Sequence, residues 1–159
     1  MNFHALGAAE GKIYRYNIWN SPTPNPFLSA YSTWINHKLD LGALQACADF
    51  FVGKHDFSSF RTAGSEVLTT VREIYSARWE RKGSRVSFTI HGEGFLKQMV
   101  RNIVGTQLDF VRQKRDPRDI KAILAAKTRQ AAGSTAPPEG LFLVKVLYPR
   151  DLDNQCRKL

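Results

Sequence analysis

The hydrophobic period of the chain changes between His91 and Phe95, and that change limits the folds open to it. Before it, Val86, Phe88 and Ile90 alternate with Arg85, Ser87, Thr89 and His91, the two-residue period of a strand with one buried face. Val71–Glu80 precedes this segment across the polar turn Arg81–Ser84, so the two runs read as an antiparallel hairpin. After the change, Leu96, Met99, Val100, Ile103, Val104, Leu108 and Val111 make one wide stripe at helical spacing, over Phe95 to about Val111. Arg101 falls on the margin of that stripe, where its stem can pack and its head can reach out. A hairpin feeding directly into an amphipathic helix requires a sheet with a helix laid on one face.

The remaining segments fit the same plan. Lys12–Trp19 (KIYRYNIW) is rich in β-formers, with Tyr14, Tyr16 and Ile18 on one face and Ile13, Arg15 and Trp19 on the other. Ser21–Pro26 carries three prolines and reads as a connector. Asp40 is the N-cap of a helix expected to run to about Val52 and to stop at Gly53. Asp116-Pro117 opens a further helix to about Lys127, and Ala131–Pro138 is a loop. Leu141–Tyr148 is apolar on both faces apart from Lys145, the pattern of a central strand. The order β, α, β-hairpin, α, α, β predicts a single α+β domain over residues 1–159, a mixed or antiparallel sheet with helices packed on one face.

Charge narrows the partners. The chain carries 23 Lys+Arg against 14 Asp+Glu, a formal charge of +9. Nine of the basic residues lie between Lys97 and Arg129, with only Asp109, Asp116 and Asp119 opposing them. Arg72, Arg78, Arg81, Lys82 and Arg85 form a second group. Such clusters attract nucleic-acid phosphates by counterion release, without reading sequence; the alternative is a solvated basic face. No apolar run approaches the roughly 20 residues of a membrane helix, and Met1–Lys12 has no apolar stretch of the kind a secretory signal needs. Cys47 and Cys156 make neither a zinc pattern nor a disulfide framework, which points to a reducing compartment.

Motifs for familiar chemistries are missing. The sequence contains no G-x-S-x-G, no G-x-x-x-x-G-K-[ST] and no H-E-x-x-H, and its four histidines have no ligand-like spacing. His55-Asp56 reads as a structural turn in preference to a base and its orienter. Cys47 reads as a small core residue.

Five segments in order carry a resemblance: Phe3-His4-Ala5, KIYRYNI (Lys12–Ile18), GKHDFSSFR (Gly53–Arg61), FLKQMVRNIVG (Phe95–Gly105) and EGLFLVKVLYP (Glu139–Pro149). Together they resemble the later part of the tRNA pseudouridine synthase A family. That resemblance implies the C-terminal half of the pseudouridine synthase fold. The enzyme would isomerise uridine to pseudouridine in the tRNA anticodon stem-loop, as a cytoplasmic homodimer (an organelle being the alternative location), with no cofactor, metal or membrane. The family's essential aspartate belongs to an R-T-D-x-G-V-H-A type motif, and none of Asp40, Asp49, Asp56, Asp109, Asp116, Asp119, Asp151 or Asp153 sits in such a setting. The chain is therefore expected to be a C-terminal domain, inactive alone, with an exposed sheet edge.

The resemblance assigns roles residue by residue. Tyr14 matches the tyrosine that stacks on the target base; on pattern alone it could equally fill a sheet face. Arg101 matches the supporting basic residue that pairs with the catalytic aspartate; without the resemblance it reads as a phosphate contact or a surface charge. Leu141 matches an apolar pocket residue and otherwise reads as core. Phe3, His4, Ala5, Arg61, Gly64, Ser65 and Lys97 match the RNA-contacting segments. Two departures weaken that footprint: Leu6 stands where the family usually has arginine, and Gly64–Leu68 (GSEVL) carries an acid at Glu66. The rival readings are a catalytically silent RNA-binding component that keeps the fold, and a generic basic interaction domain.

Overall fold

The computed structural model describes residues 9–64 and 67–149. The predicted α+β architecture is present: a six-stranded mixed sheet in the order β2-β1-β5-β4-β3, with β6 also paired to β1. In chain order the elements are β1 (Gly11–Asn20), β2 (Thr33–Ile35), α1 (Leu41–Ala48), β3 (Gly53–Asp56), β4 (Val71–Lys82), β5 (Arg85–Gly92), α2 (Met99–Arg112), α3 (Ile120–Ala126) and β6 (Leu141–Leu147).

The alternation in the sequence sets the two faces of this sheet. Tyr16 and Ile18 of β1 lie opposite Phe88 and Val86 of β5, and Phe88 and Ile90 lie opposite Trp79 and Ala77 of β4. All seven side chains are buried, and α1 and α2 pack on this face against β4 and β1 respectively. The opposite face carries Arg15, Thr89 and Arg78 in one cross-strand row. Burying the apolar row while leaving the charged row in water is what fixes the register, because a one-residue slip would exchange the faces.

The helices differ from the periodic reading mainly at their ends. α1 begins as expected, with the Asp40 carboxylate accepting from the Ala43 N–H, but gives way after Ala48 to a 3-10 turn over Asp49–Phe51. Gly53, at φ +105°, does not merely stop the helix but starts β3. α2 starts at Met99 instead of Phe95: Gln98 is left-handed at φ 58°, and the segment before it is a turn. The helix expected from Asp116 opens as a 3-10 turn, Pro117–Asp119, before α3. His55-Asp56 lies in β3, where it pairs with Arg72 and Val71, not in a turn.

Two strand predictions need correction. β2 was not expected; it pairs in parallel with the end of β1, Ile18 beside Thr33 and Asn20 beside Ile35. Asn20 holds the chain leaving β2, donating to the carbonyls of Ile35 and His37 at 2.9 and 2.6 Å while its oxygen accepts from Arg81. β6 is not a central strand among the described residues. It covers the first half of β1, Leu141 opposite Tyr16 and Leu147 opposite Gly11, and its outer edge is unpaired. Leu143 and Val144 are about half exposed there, at 51% and 48%. The other side of the sheet is closed more fully: beyond β3, Gln45 of α1 donates to the Ala77 carbonyl and accepts from the Trp79 N–H. Side-chain amide bonds of this kind occupy a strand edge that would otherwise template pairing.

Candidate functional site

The site grows from the junction of β1, β6 and the first turn of α2. Tyr14 and Tyr16 share the helix-facing side of β1. Tyr16 is fully buried, and its hydroxyl donates to the Pro137 carbonyl at 2.7 Å and lies 2.6 Å from the Thr33 hydroxyl. Burial pushes its phenol up to about 12, with Glu139 raising it further and Thr33 and Arg101 pulling the other way. Tyr16 is structural at this pH range, locked and neutral.

Tyr14 stands differently. It is only partly buried, its ring meets Phe95 edge-on at 5.1 Å, and burial raises its phenol pKa. Its cross-strand neighbours are Ile90 and Leu143. Phe95 packs against the ring, which keeps part of its surface exposed.

The segment before β6 locks against both tyrosine and arginine. A Cβ at Gly140 would lie 2.8 Å from the Tyr16 ring and 2.7 Å from the Asn17 carbonyl oxygen, so only glycine lets Leu141 enter the sheet at this point. Ala136 exchanges two hydrogen bonds with Arg101: its N–H donates to the Arg101 carbonyl at 3.1 Å, and its own carbonyl accepts from Arg101 Nε at 2.7 Å. Among the described residues no hydrogen bond or ion pair engages the two terminal nitrogens of Arg101. The guanidinium is held by its inner nitrogen, with its outer fork open.

Arg101 and Leu141, named separately from the sequence, are linked through Tyr16 and residues 136–141, and Tyr14 lies two residues before Tyr16 on β1. Of the expected RNA contacts, Lys97 and Gly64 come together: Lys97 Nζ reaches the Ala63 carbonyl at 3.4 Å, its own carbonyl accepts from the Thr62 N–H, and Gly64 is left-handed at φ +90°. Arg61 enters the same loop, following the 3-10 turn Ser58–Phe60. Phe3, His4, Ala5 and Ser65 lie outside the described residues, as do Leu6 and Glu66.

The basic cluster from Lys97 to Arg129 is not one free face. Arg112 pairs with Asp109 at 2.8 Å, Arg118 with Asp116 at 2.6 Å and Lys127 with Asp56 at 3.3 Å. Arg115 stacks over Phe110, and Arg129 turns inward onto backbone carbonyls. Arg15, Lys82 and Arg85 instead line a groove of about 830 Å³ that does not include Tyr14, Arg101 or Leu141. Cys47 is a buried core residue whose thiol burial pushes up to about 11, an unreactive setting.

His55 and Asp56 behave as structural residues. Asp56 accepts from the Ser58 hydroxyl at 2.6 Å, the Ser58 N–H at 3.0 Å and the Thr70 hydroxyl at 2.7 Å, closing the base of the loop between them. His55 contacts the Val52 carbonyl at 3.0 Å. Sequence reasoning missed Asn102, whose fully buried amide donates to the Phe60 carbonyl at 2.7 Å. Its only sequence signal is a polar residue placed among apolar neighbours in the α2 stripe.

A six-stranded mixed sheet with helices on one face is the α+β architecture expected of a pseudouridine synthase fold. Comparison with known proteins agrees: residues 47–149 match the family model described as tRNA pseudouridine synthase, and the chain belongs to that family. It is 49% identical over 159 residues to a tRNA pseudouridine synthase A of Bdellovibrio bacteriovorus, covering 99% of this chain and 61% of the relative. It is 45% identical over 148 residues to the enzyme of that name from Acetivibrio thermocellus, covering 93% and 61%. A Bacillus pumilus relative of the same name is 40% identical over 147 residues, with 92% and 60% covered. The chain thus spans about three-fifths of the length of these relatives.

Proposed function

We propose that this chain is the C-terminal domain of a tRNA pseudouridine synthase and forms one wall of the site that isomerises uridine in the anticodon stem-loop. The observation that carries this reading is Arg101, fixed through Nε to the Ala136 carbonyl with its outer nitrogens unengaged, beside Tyr16 and Leu141. A guanidinium held this way matches a carboxylate as a two-pronged donor and keeps that carboxylate ionised. The carboxylate is the catalytic aspartate, supplied from outside these 159 residues. Without it the chain does not turn over.

Tyr14 offers its partly exposed ring to the uracil once the nucleotide is flipped from its stack, and shields the reacting bond from water. Leu141 closes the apolar side. The bond between C1′ and N1 breaks, the ring turns, and C1′ joins C5. The C5 hydrogen leaves to solvent and N1 gains one, so the product is an isomer and no redox partner or cofactor is required. Lys97, Arg61, Gly64 and Ser65, with Phe3, His4 and Ala5, contact the RNA strand. The enzyme acts as a homodimer in the cytoplasm.

Titration of a fluorescent anticodon stem-loop with the chain tests the binding half of this reading. Lys97→Ala should lower the slope of log affinity against log salt, by about one for a single lost phosphate contact. Tyr14→Ala should weaken binding of a stem-loop with an unpaired target uridine by about tenfold, the scale of one base–aromatic stack. Wild-type affinity in both variants would overturn it.

A further inference from the structure

One polar network at the α2 end of the molecule is not explained by burial of an apolar face. Asn102 is fully buried, and both ends of its amide are used. Its nitrogen donates to the Phe60 carbonyl, and its oxygen accepts from the Thr135 hydroxyl at 2.6 Å and from Arg129 at 3.3 Å. Arg129 donates to the Gly133 carbonyl at 2.8 Å and to the Thr135 hydroxyl at 2.9 Å. Thr106 accepts from the Gly133 N–H, and Asp109 accepts from the Ser134 N–H at 2.7 Å. Residues 133–135 are thus tied down from three sides, and the next residue, Ala136, is the one that grips Arg101.

We infer that Asn102 and Arg129 are positioning residues: by clamping residues 133–135 they fix the Ala136 carbonyl, and through it the direction in which the Arg101 guanidinium presents its outer fork. The consequence for the reaction rests on the role given to Arg101 above. The placement itself does not.

Three observations support a clamp in preference to an RNA contact. Arg129 is turned onto protein acceptors with both outer nitrogens, leaving little for a phosphate. Arg101 has no acid partner among the described residues, so the Ala136 carbonyl is the acceptor that restrains its head group. Gly105 lets the loop come this close: a Cβ there would stand 1.8 Å from the Ser134 carbonyl oxygen. A rigid supporting shell is what holds a charged group within the narrow geometry a reaction needs.

The test uses the 159-residue chain with no RNA present. The Arg101 Nε–H resonance, assigned by its loss in Arg101→Lys, reports the hydrogen bond to Ala136. It should be protected from exchange in the parent chain and exchange about tenfold faster in Arg129→Ala and in the near-isosteric Thr135→Val, the scale of one lost hydrogen bond. Gln45→Ala, which removes α1 contacts remote from this loop, controls for general destabilisation and should leave that protection unchanged. Stem-loop affinity is measured in parallel. Unchanged Nε–H exchange in folded Thr135→Val and Arg129→Ala overturns the inference, and so does equal acceleration in Gln45→Ala. Weakened RNA binding with unchanged exchange makes Arg129 an RNA contact and overturns it too. If the exchange results hold but the stem-loop binds no better than unrelated RNA, the functional reading fails and the positioning inference stands.

Discussion

At the scale of single residues, the motif R-N-I-V-G divides its work among residues within about one helical turn. Arg101 donates through Nε to the Ala136 carbonyl, Asn102 holds the adjoining loops, and Gly105 lets residues 134–136 lie directly on the helix. Gly105→Ala should therefore cost about 1–3 kcal/mol, the range for overpacking a tight interior, because the atoms in the way are backbone. Urea unfolding measures this, and a midpoint equal to the parent's would contradict it. Asp56 makes a different prediction. Partial burial pushes its carboxyl up, but the Ser58 and Thr70 hydroxyls, the Ser58 N–H and Lys127 outweigh this and bring it from 3.8 down to about 2. A carboxyl depressed on folding adds stability that is present above its unfolded pKa and lost as pH falls toward the folded one. Chemical denaturation at a series of pH values should show Asp56→Asn less stable than the parent near neutrality, with the gap closing between about pH 4 and pH 2. A gap independent of pH would assign the effect to packing alone.

At the scale of elements, β6 is the strand whose surroundings depart furthest from its sequence pattern. Its sequence is apolar on both faces, which reads as a central strand, yet its outer edge is unpaired and Leu143 and Val144 are half exposed. The pattern is that of a strand built for neighbours on both sides. An unpaired apolar edge invites association, and a charge placed on it opposes that. The chain should self-associate at concentrations where Val144→Lys stays monomeric, as read by sedimentation velocity; identical profiles would show that the edge is not the sticky surface. Legibility follows the same physics. β1, the hairpin and α2 could be read because each buries one face over many residues, long enough for a period to show. β2, three residues paired in parallel, and β3, four residues on an edge, are too short for any period and form because neighbouring strands offer them hydrogen bonds. The Arg129 clamp was illegible for a related reason: a cation in a basic sequence run reads as solvated until tertiary contacts supply its acceptors.

At the scale of the whole molecule, the proposed site draws Tyr14, Arg101 and Leu141 from three elements, and no aspartate among the described residues completes it. The family resemblance is what assigns that set, because Tyr14, Arg101 and Leu141 lie in three separate segments that no local pattern connects. What the sequence could not convey is that Tyr16 and residues 136–141 tie Arg101 to Leu141. No helix among the described residues is long and apolar enough to cross a membrane. The most direct measurement is tritium release from an anticodon stem-loop labelled at uridine C5. It compares this chain alone with the same chain joined to a family N-terminal segment bearing the R-T-D-x-G-V-H-A motif. The expected result is no release from the chain alone, release from the joined protein, and its loss again on Arg101→Ala. Turnover by the chain alone, or a joined enzyme indifferent to Arg101→Ala, would contradict it.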